Sequence, residues 1–144
     1  MEETQTPTAE EIERVAREGF DAWNADDWDT IESLASPNAV IVGPPEWPEP
    51  GERVGWPAIR AQYERLKDPY SEERVEAEEI RVDGRHALSK VIWSVKGEGS
   101  GLETSVPMWL VTTYRGLRYE RIEYYMQEDR ARAAWEEKRR GDLE

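Results

Sequence analysis

The second half of the chain is divided by three turn signals: Asp83-Gly84, the run GEGSG at 97–101, and Arg115-Gly116. Pairs and runs of this kind close hairpins between antiparallel strands. The segments they separate, 72–82, 86–96, 102–115 and 117–127, are rich in β-branched and aromatic residues and are expected as strands. Because side chains alternate across a strand, Val91, Trp93 and Val95 share one face, and Met108, Leu110, Thr112 and Tyr114 share a face of the next strand. Ile122, Tyr124 and Met126 do the same on the last. A meander of this length must lay an apolar face against something, and helices precede it.

Thr8 is placed as an N-cap, with Glu11 three residues on as its capping-box partner. Ile12, Val15, Ala16, Gly19, Phe20 and Trp23 then recur at helical spacing. Gly19 inside that stripe costs about 1 kcal/mol relative to Ala, which suits close approach of another element or room for a ligand. Asp26 or Asp27 caps a second helix whose Trp28, Ile31, Leu34 and Ala35 share a face, and Pro37 stops it. Ala39 to Val42 reads as a short strand. Residues 43–55 contain four prolines and three glycines around Trp47 and read as a loop, with Trp47 a lid over a pocket mouth. Pro57 opens a third helix with Ile59, Tyr63 and Leu66 facing inward, ended at Asp68-Pro69. From Glu128 a charged helix carries Ala131, Ala134 and Trp135 on one side. Residues 1–7 are expected as a disordered lead, 8–135 as one domain, and 136–144 as a charged C-terminal tail. Helices gathered on one face of a curled antiparallel sheet make an α+β roll.

Composition excludes several classes of function. A chain of 144 residues suits a single core. The formal charge of -13 repels nucleic acid and anionic membranes. There is no Cys, hence no disulfide, thiolate nucleophile or Cys-ligated metal. One histidine, His86, is too few for a multi-histidine metal site and leaves one imidazole for any base. No metal and no cofactor is expected. Asp26, Asp27 and Asp29 lack the glycine and distal glutamate of a calcium loop and read as helix caps. No apolar run approaches the roughly 20 residues of a membrane span, and the acidic MEETQTPTAE start lacks the parts of a signal peptide, so a cytoplasmic address is expected.

The run FDAWNADDWDTIESLASPNAVIVGPP resembles the first half of the nuclear transport factor 2-like superfamily in its SnoaL-like branch. GWPAIRAQYERL resembles its third helix, and VEAEEIRVDGRHALSKVIWSV with GLETSVPMWLVTTYRGLRYERIEYYMQ resembles its strand meander. The likeness covers roughly residues 8–135. It implies a cone-shaped roll: a curved antiparallel sheet with the three N-terminal helices on its concave face, enclosing an apolar cavity, often in a dimer. The superfamily includes isomerases, cyclases, hydrolases, dehydratases and binding modules, so fold alone does not choose among them. The isomerase-type pattern places a carboxylate base just before the proline after the first strand, where this chain has Gly43. Its first-helix tyrosine falls at Gly19 and its late-strand acid near Leu110. All three are absent.

Hydrolase-type members use carboxylates and an arginine on the inner sheet face, for which Glu103, Arg121 and Glu123 are candidates. Alternation turns Arg121 and Glu123 outward if Ile122 and Tyr124 face the cavity, unless a bulge reverses the register. Two weak catalytic candidates remain, Tyr124 and His86. The expected lining is Trp23 from the first helix, Trp56 and Tyr63 from the third, and Trp93, Met108, Leu110, Thr112 and Tyr124 from the strands, with Trp47 over the mouth. Apolar walls with a few hydroxyl tips suit a small apolar or aromatic molecule. The alternatives are a SnoaL-like enzyme of cyclase, hydrolase, dehydratase or isomerase type, and a scaffold with a filled core. Leu88, Ile92, Trp109, Val111 and Tyr125 make the outer face apolar too, which points to a homodimer through that face.

Overall fold

The computed structural model describes residues 7–97, 99 and 101–143; the expected disordered lead lies outside them except for Pro7. Helix α1, Ala9–Asn24, opens with both halves of the capping box: Thr8 Oγ1 accepts from the Glu11 amide at 3.1 Å and Glu11 accepts from the Thr8 amide at 2.9 Å. Helix α2, Trp28–Ser33, is capped by Asp27, whose side chain accepts from the Thr30 amide. It ends two residues before the expected Ala35, and the chain passes directly into strand β1, Ala35–Gly43. Pro37 falls where the register of β1 shifts between Ala35 and Val40, a place where its missing N–H leaves no ladder bond unmade.

The run 43–55 is not loop throughout. Residues 51–54 form strand β2, Gly51–Val54, antiparallel to β1, because beyond Pro50 every residue again has an N–H to donate. Gly55, at φ 87°, begins helix α3, Trp56–Lys67. Four long strands follow: β3 Tyr70–Asp83, β4 His86–Gly97, β5 Glu103–Arg115 and β6 Arg118–Tyr125. The two tight turns lie one residue later than the sequence signal suggests. Asp83 pairs with His86 and Arg115 with Arg118, so the loops are Gly84-Arg85 and Gly116-Leu117. Each glycine has φ near +63° and the residue after it does not, which is the pattern of a type II′ hairpin.

The six strands form one sheet in the order β2-β1-β6-β5-β4-β3, with β1 and β6 parallel and the other pairs antiparallel. Two bulges bend it. One lies between Ala77 and Glu79 of β3, the other beside Thr113 and Tyr114 of β5, where Tyr114 pairs with Tyr119 and Thr113 with Arg121. Helices α1, α2 and α3 pack on the concave face around Ile12, Val15, Ile59 and Leu66. A fourth helix, α4, Glu128–Leu143, continues through the expected tail and lies on the convex face. There Ala131 and Trp135 pack with Leu88, Trp109 and Val111. Most of the apolar outer face is thus covered within the chain.

Candidate functional site

Between the helices and the concave sheet lies a cavity offering about 110 Å³ to the centre of a water molecule. A single water needs roughly 10–15 Å³ on this measure. Trp23 reaches it from α1, Tyr63 from α3 and Trp93 from β4. Strand β5 contributes Met108, Leu110 and Thr112, and β6 contributes Tyr124. Trp47 enters from the β1–β2 loop. Its ring packs on Tyr124 at a tilt of 42° with centroids 4.8 Å apart, and it lies so close over Gly43 that a Cβ there would stand 2.7 Å from it. Trp56 is placed elsewhere: at the start of α3 it packs on Trp28, 6.5 Å between centroids, outside the lining.

Sequence reasoning left two tyrosines out of the site. Tyr114 shares the inner face of β5 by simple alternation. Tyr119 breaks alternation with Ile122 and Tyr124, and the bulge turns it inward all the same. Four phenols therefore meet in one apolar chamber. Tyr63 and Tyr124 share a hydrogen bond of 2.7 Å between hydroxyls. The Tyr119 hydroxyl is buried beside them without a well-formed bond. Burial pushes Tyr63, Tyr114, Tyr119 and Tyr124 above the usual phenol range, and the neighbouring phenols push Tyr63 and Tyr119 further. All four stay protonated and able to donate.

One wall is set by a residue with no sequence signal, Glu73 in the charged run SEERVEAEE. Its Oε1 accepts from the indole N–H groups of both Trp23, at 2.7 Å, and Trp93, at 3.0 Å. Its other oxygen is paired with Lys67, whose ammonium also donates to the Trp23 carbonyl at 2.8 Å and meets Asp26 at 2.9 Å. Lys67 and Glu73 are both nearly buried, and each is fully engaged. Behind them Asn24 is locked to the Val75 backbone by two bonds of 2.9 and 2.8 Å. The two tryptophan rings are thereby fixed at their polar edges, Trp23 also by the Lys67 ammonium 4.2 Å over its ring and Trp93 by Tyr70 packed edge-on at 5.6 Å, and both still line the cavity.

The charged candidates lie on the other side of the sheet. Arg121 donates to Glu123 at 2.7 Å, and Lys138 of α4 and the Tyr125 hydroxyl close on the same carboxylate. Burial alone would raise the Glu123 carboxyl, but those partners hold it below its ordinary value. Glu103 is exposed at the start of β5. His86 is buried under α4, with Nδ1 3.1 Å from Thr113 Oγ1 and Nε2 2.7 Å from Asp142 Oδ2. Burial lowers its pKa against the opposing pull of Asp142. None of these groups reaches the cavity, and among the described lining residues there is no Asp, Glu, His, Lys or Arg. Among the described residues no cluster of His, Asp or Glu is placed to hold a metal, and no helix is long and apolar enough to cross a membrane.

The sequence profile described as the SnoaL-like domain matches residues 16–136. No curated protein sequence matches the chain. Among solved structures, Bal32a from a soil-derived mobile gene cassette superposes with a TM-score of 0.75 at 19% identity, covering 88% of this chain and 97% of that one. A protein from Jannaschia Sp. CCS1 proposed to be a SnoaL-like polyketide cyclase gives 0.73 at 16% identity, covering 93% and 97%. A protein from Sinorhizobium meliloti proposed to be a polyketide cyclase gives 0.65 at 25% identity, covering 78% and 94%. With the profile spanning most of the chain on a matching α+β architecture, the protein belongs to the SnoaL-like domain family of the nuclear transport factor 2-like superfamily.

Proposed function

We propose that the cavity binds a small apolar or aromatic molecule and orients it through phenolic hydroxyls. One observation carries this reading: the chamber is lined by aromatic and aliphatic side chains and carries no charge, yet it holds several neutral hydroxyls. Apolar walls give affinity and a few polar tips give orientation. Trp23, Trp47, Tyr63, Trp93, Met108, Leu110, Thr112 and Tyr124 are the proposed contacts; Trp56, packed on Trp28, is not among them. The space inside argues against a filled core, and the lining supplies no acid–base pair, so the reading is binding rather than turnover. A second copy through the convex face would have to use what α4 leaves, chiefly Ile92 and Pro107 beside polar Glu76, Ser94 and Ser105. Sedimentation at micromolar concentration decides whether that strip suffices.

The test is a thermal-shift and tryptophan-emission screen with small aromatic and alicyclic compounds. A ligand at 100 times its dissociation constant stabilises the fold by about 2.7 kcal/mol. Trp93→Ala is expected to stay folded and lose the response. Unfolding of that variant, with a loss of about 3–5 kcal/mol, would make Trp93 a core residue instead.

A further inference from the structure

The hydroxyl protons in the cavity do not balance. Each phenol carries one donor proton. The bond between Tyr63 and Tyr124 uses one, whichever way it runs. The Tyr119 hydroxyl lies beside Tyr63 but forms no hydrogen bond, and the residue is only 7% exposed; even if it turned its proton to the Tyr63 oxygen, one of the three protons would have no acceptor among them. A buried donor left unmade costs about 1–3 kcal/mol. Orphaned donors are also rarer in proteins than under-used acceptors. A phenol oxygen, its lone pairs drawn into the ring, accepts weakly and donates well. The chamber is therefore short of an acceptor.

We propose that the ligand supplies that acceptor as a neutral carbonyl oxygen, of a ketone or quinone, bound by the Tyr119 hydroxyl together with the free proton of the Tyr63–Tyr124 pair. The assignment rests on reading the cavity as a binding site. A carbonyl oxygen has two lone pairs and accepts two donors, which matches the two protons left over. A carboxylate fits worse. No cation lines the chamber, and the chain already carries a formal charge of -13. An alcohol fits worse as well, because it brings another donor to a place that lacks acceptors. Tyr119 thereby becomes the residue that sets specificity, separating a ketone from a hydrocarbon of the same shape.

The experiment compares 1-tetralone with tetralin, which differ by one carbonyl, by calorimetry on the wild type and on Tyr119→Phe. The substitution removes only the hydroxyl. It is expected to weaken tetralone about 3- to 10-fold, the range of one hydrogen bond, and to leave tetralin unchanged or slightly tighter. The infrared carbonyl stretch of bound tetralone should lie at lower frequency in the wild type than in Tyr119→Phe, which a purely packing role for Tyr119 would not produce. Tyr63→Phe is expected to act in the same direction and carries the test should Tyr119→Phe fail to fold. Equal weakening of both compounds, or an unshifted carbonyl stretch, overturns the carbonyl assignment while leaving the cavity as a binding site. The assignment is overturned in the same way if tetralone affinity is untouched because a resident water satisfies Tyr119. Failure of the wild type to bind either compound removes the binding reading, and this inference with it.

Discussion

The two faces of one sheet differ in how their buried hydroxyls are satisfied. On the convex face every ionisable candidate is engaged: Arg121 and Lys138 with Glu123, Tyr125 with Glu123, His86 with Asp142 and Thr113, and the Trp135 indole with the His86 carbonyl at 3.1 Å. On the concave face, four phenols share one well-formed hydrogen bond. Buried polar groups are nearly always satisfied, and the Tyr119 hydroxyl departs from that on the concave side, where Glu73, Lys67, Trp23 and Trp93 are all engaged. The difference also explains why reactive residue types mislead here. The one histidine and the arginine–glutamate pair look like chemistry in sequence, but they hold α4 to the sheet.

The largest expected consequence is an asymmetric response to pH. Tyr63, Tyr114, Tyr119 and Tyr124 have folded pKa values above the unfolded value of 10.0. Their contribution is complete below pH 10 and is lost as pH rises past it, because the unfolded chain ionises first. Each such tyrosine removes about 1.4 kcal/mol per pH unit, so chemical denaturation at pH 9 and pH 11 should differ by several kcal/mol. A flat profile would mean that these phenols are not buried. Next in size is a pair of single-atom deletions. Tyr125→Phe loses a bond to Glu123 and is expected to cost about 1 kcal/mol. Tyr119→Phe removes an unpaired hydroxyl and should be neutral or stabilising in the ligand-free protein. Equal costs for the two would erase the contrast between the faces. Smallest is the acid limb. The His86 pKa is lowered by burial despite Asp142, with Arg85 and Lys138 adding to the depression. The unfolded chain then takes up a proton near pH 6.5 before the folded one does, so stability falls as pH drops through that value. His86→Gln is expected to flatten the slope between pH 7.5 and 5.5 in denaturant titrations.

Much of this architecture is legible in the residues. In β3, Val75 and Ala77 have one parity and Ile80 and Val82 the other, and the structure answers with a bulge between Ala77 and Glu79 that keeps all four on the concave side. The same signal is present in β6, where Tyr119 is out of step with Ile122 and Tyr124, but one displaced tyrosine next to a turn is too short a run to read. Strand β2 escaped because the prolines before it outweigh four ordinary residues. Trp56 escaped because its helical position alone does not tell Trp28 from a ligand as the neighbour. Glu73 could not be found at all. A carboxylate in a charged strand is ordinary, and what makes this one special is the convergence of two tryptophans that lie 50 and 20 residues away along the chain. The His86–Asp142 contact spans 56 residues and was equally hidden.

The close fit of Trp47 over Gly43 has an evolutionary side. In the isomerase-type pattern, the position of Gly43 carries the proton-abstracting carboxylate, and here the indole of a neighbouring loop occupies the space such a side chain would need. The two solutions exclude each other. A carboxylate introduced alone at position 43 collides with the ring, and loss of the ring alone leaves a hole and no chemistry. A side chain at position 43 therefore has room only if position 47 changes with it.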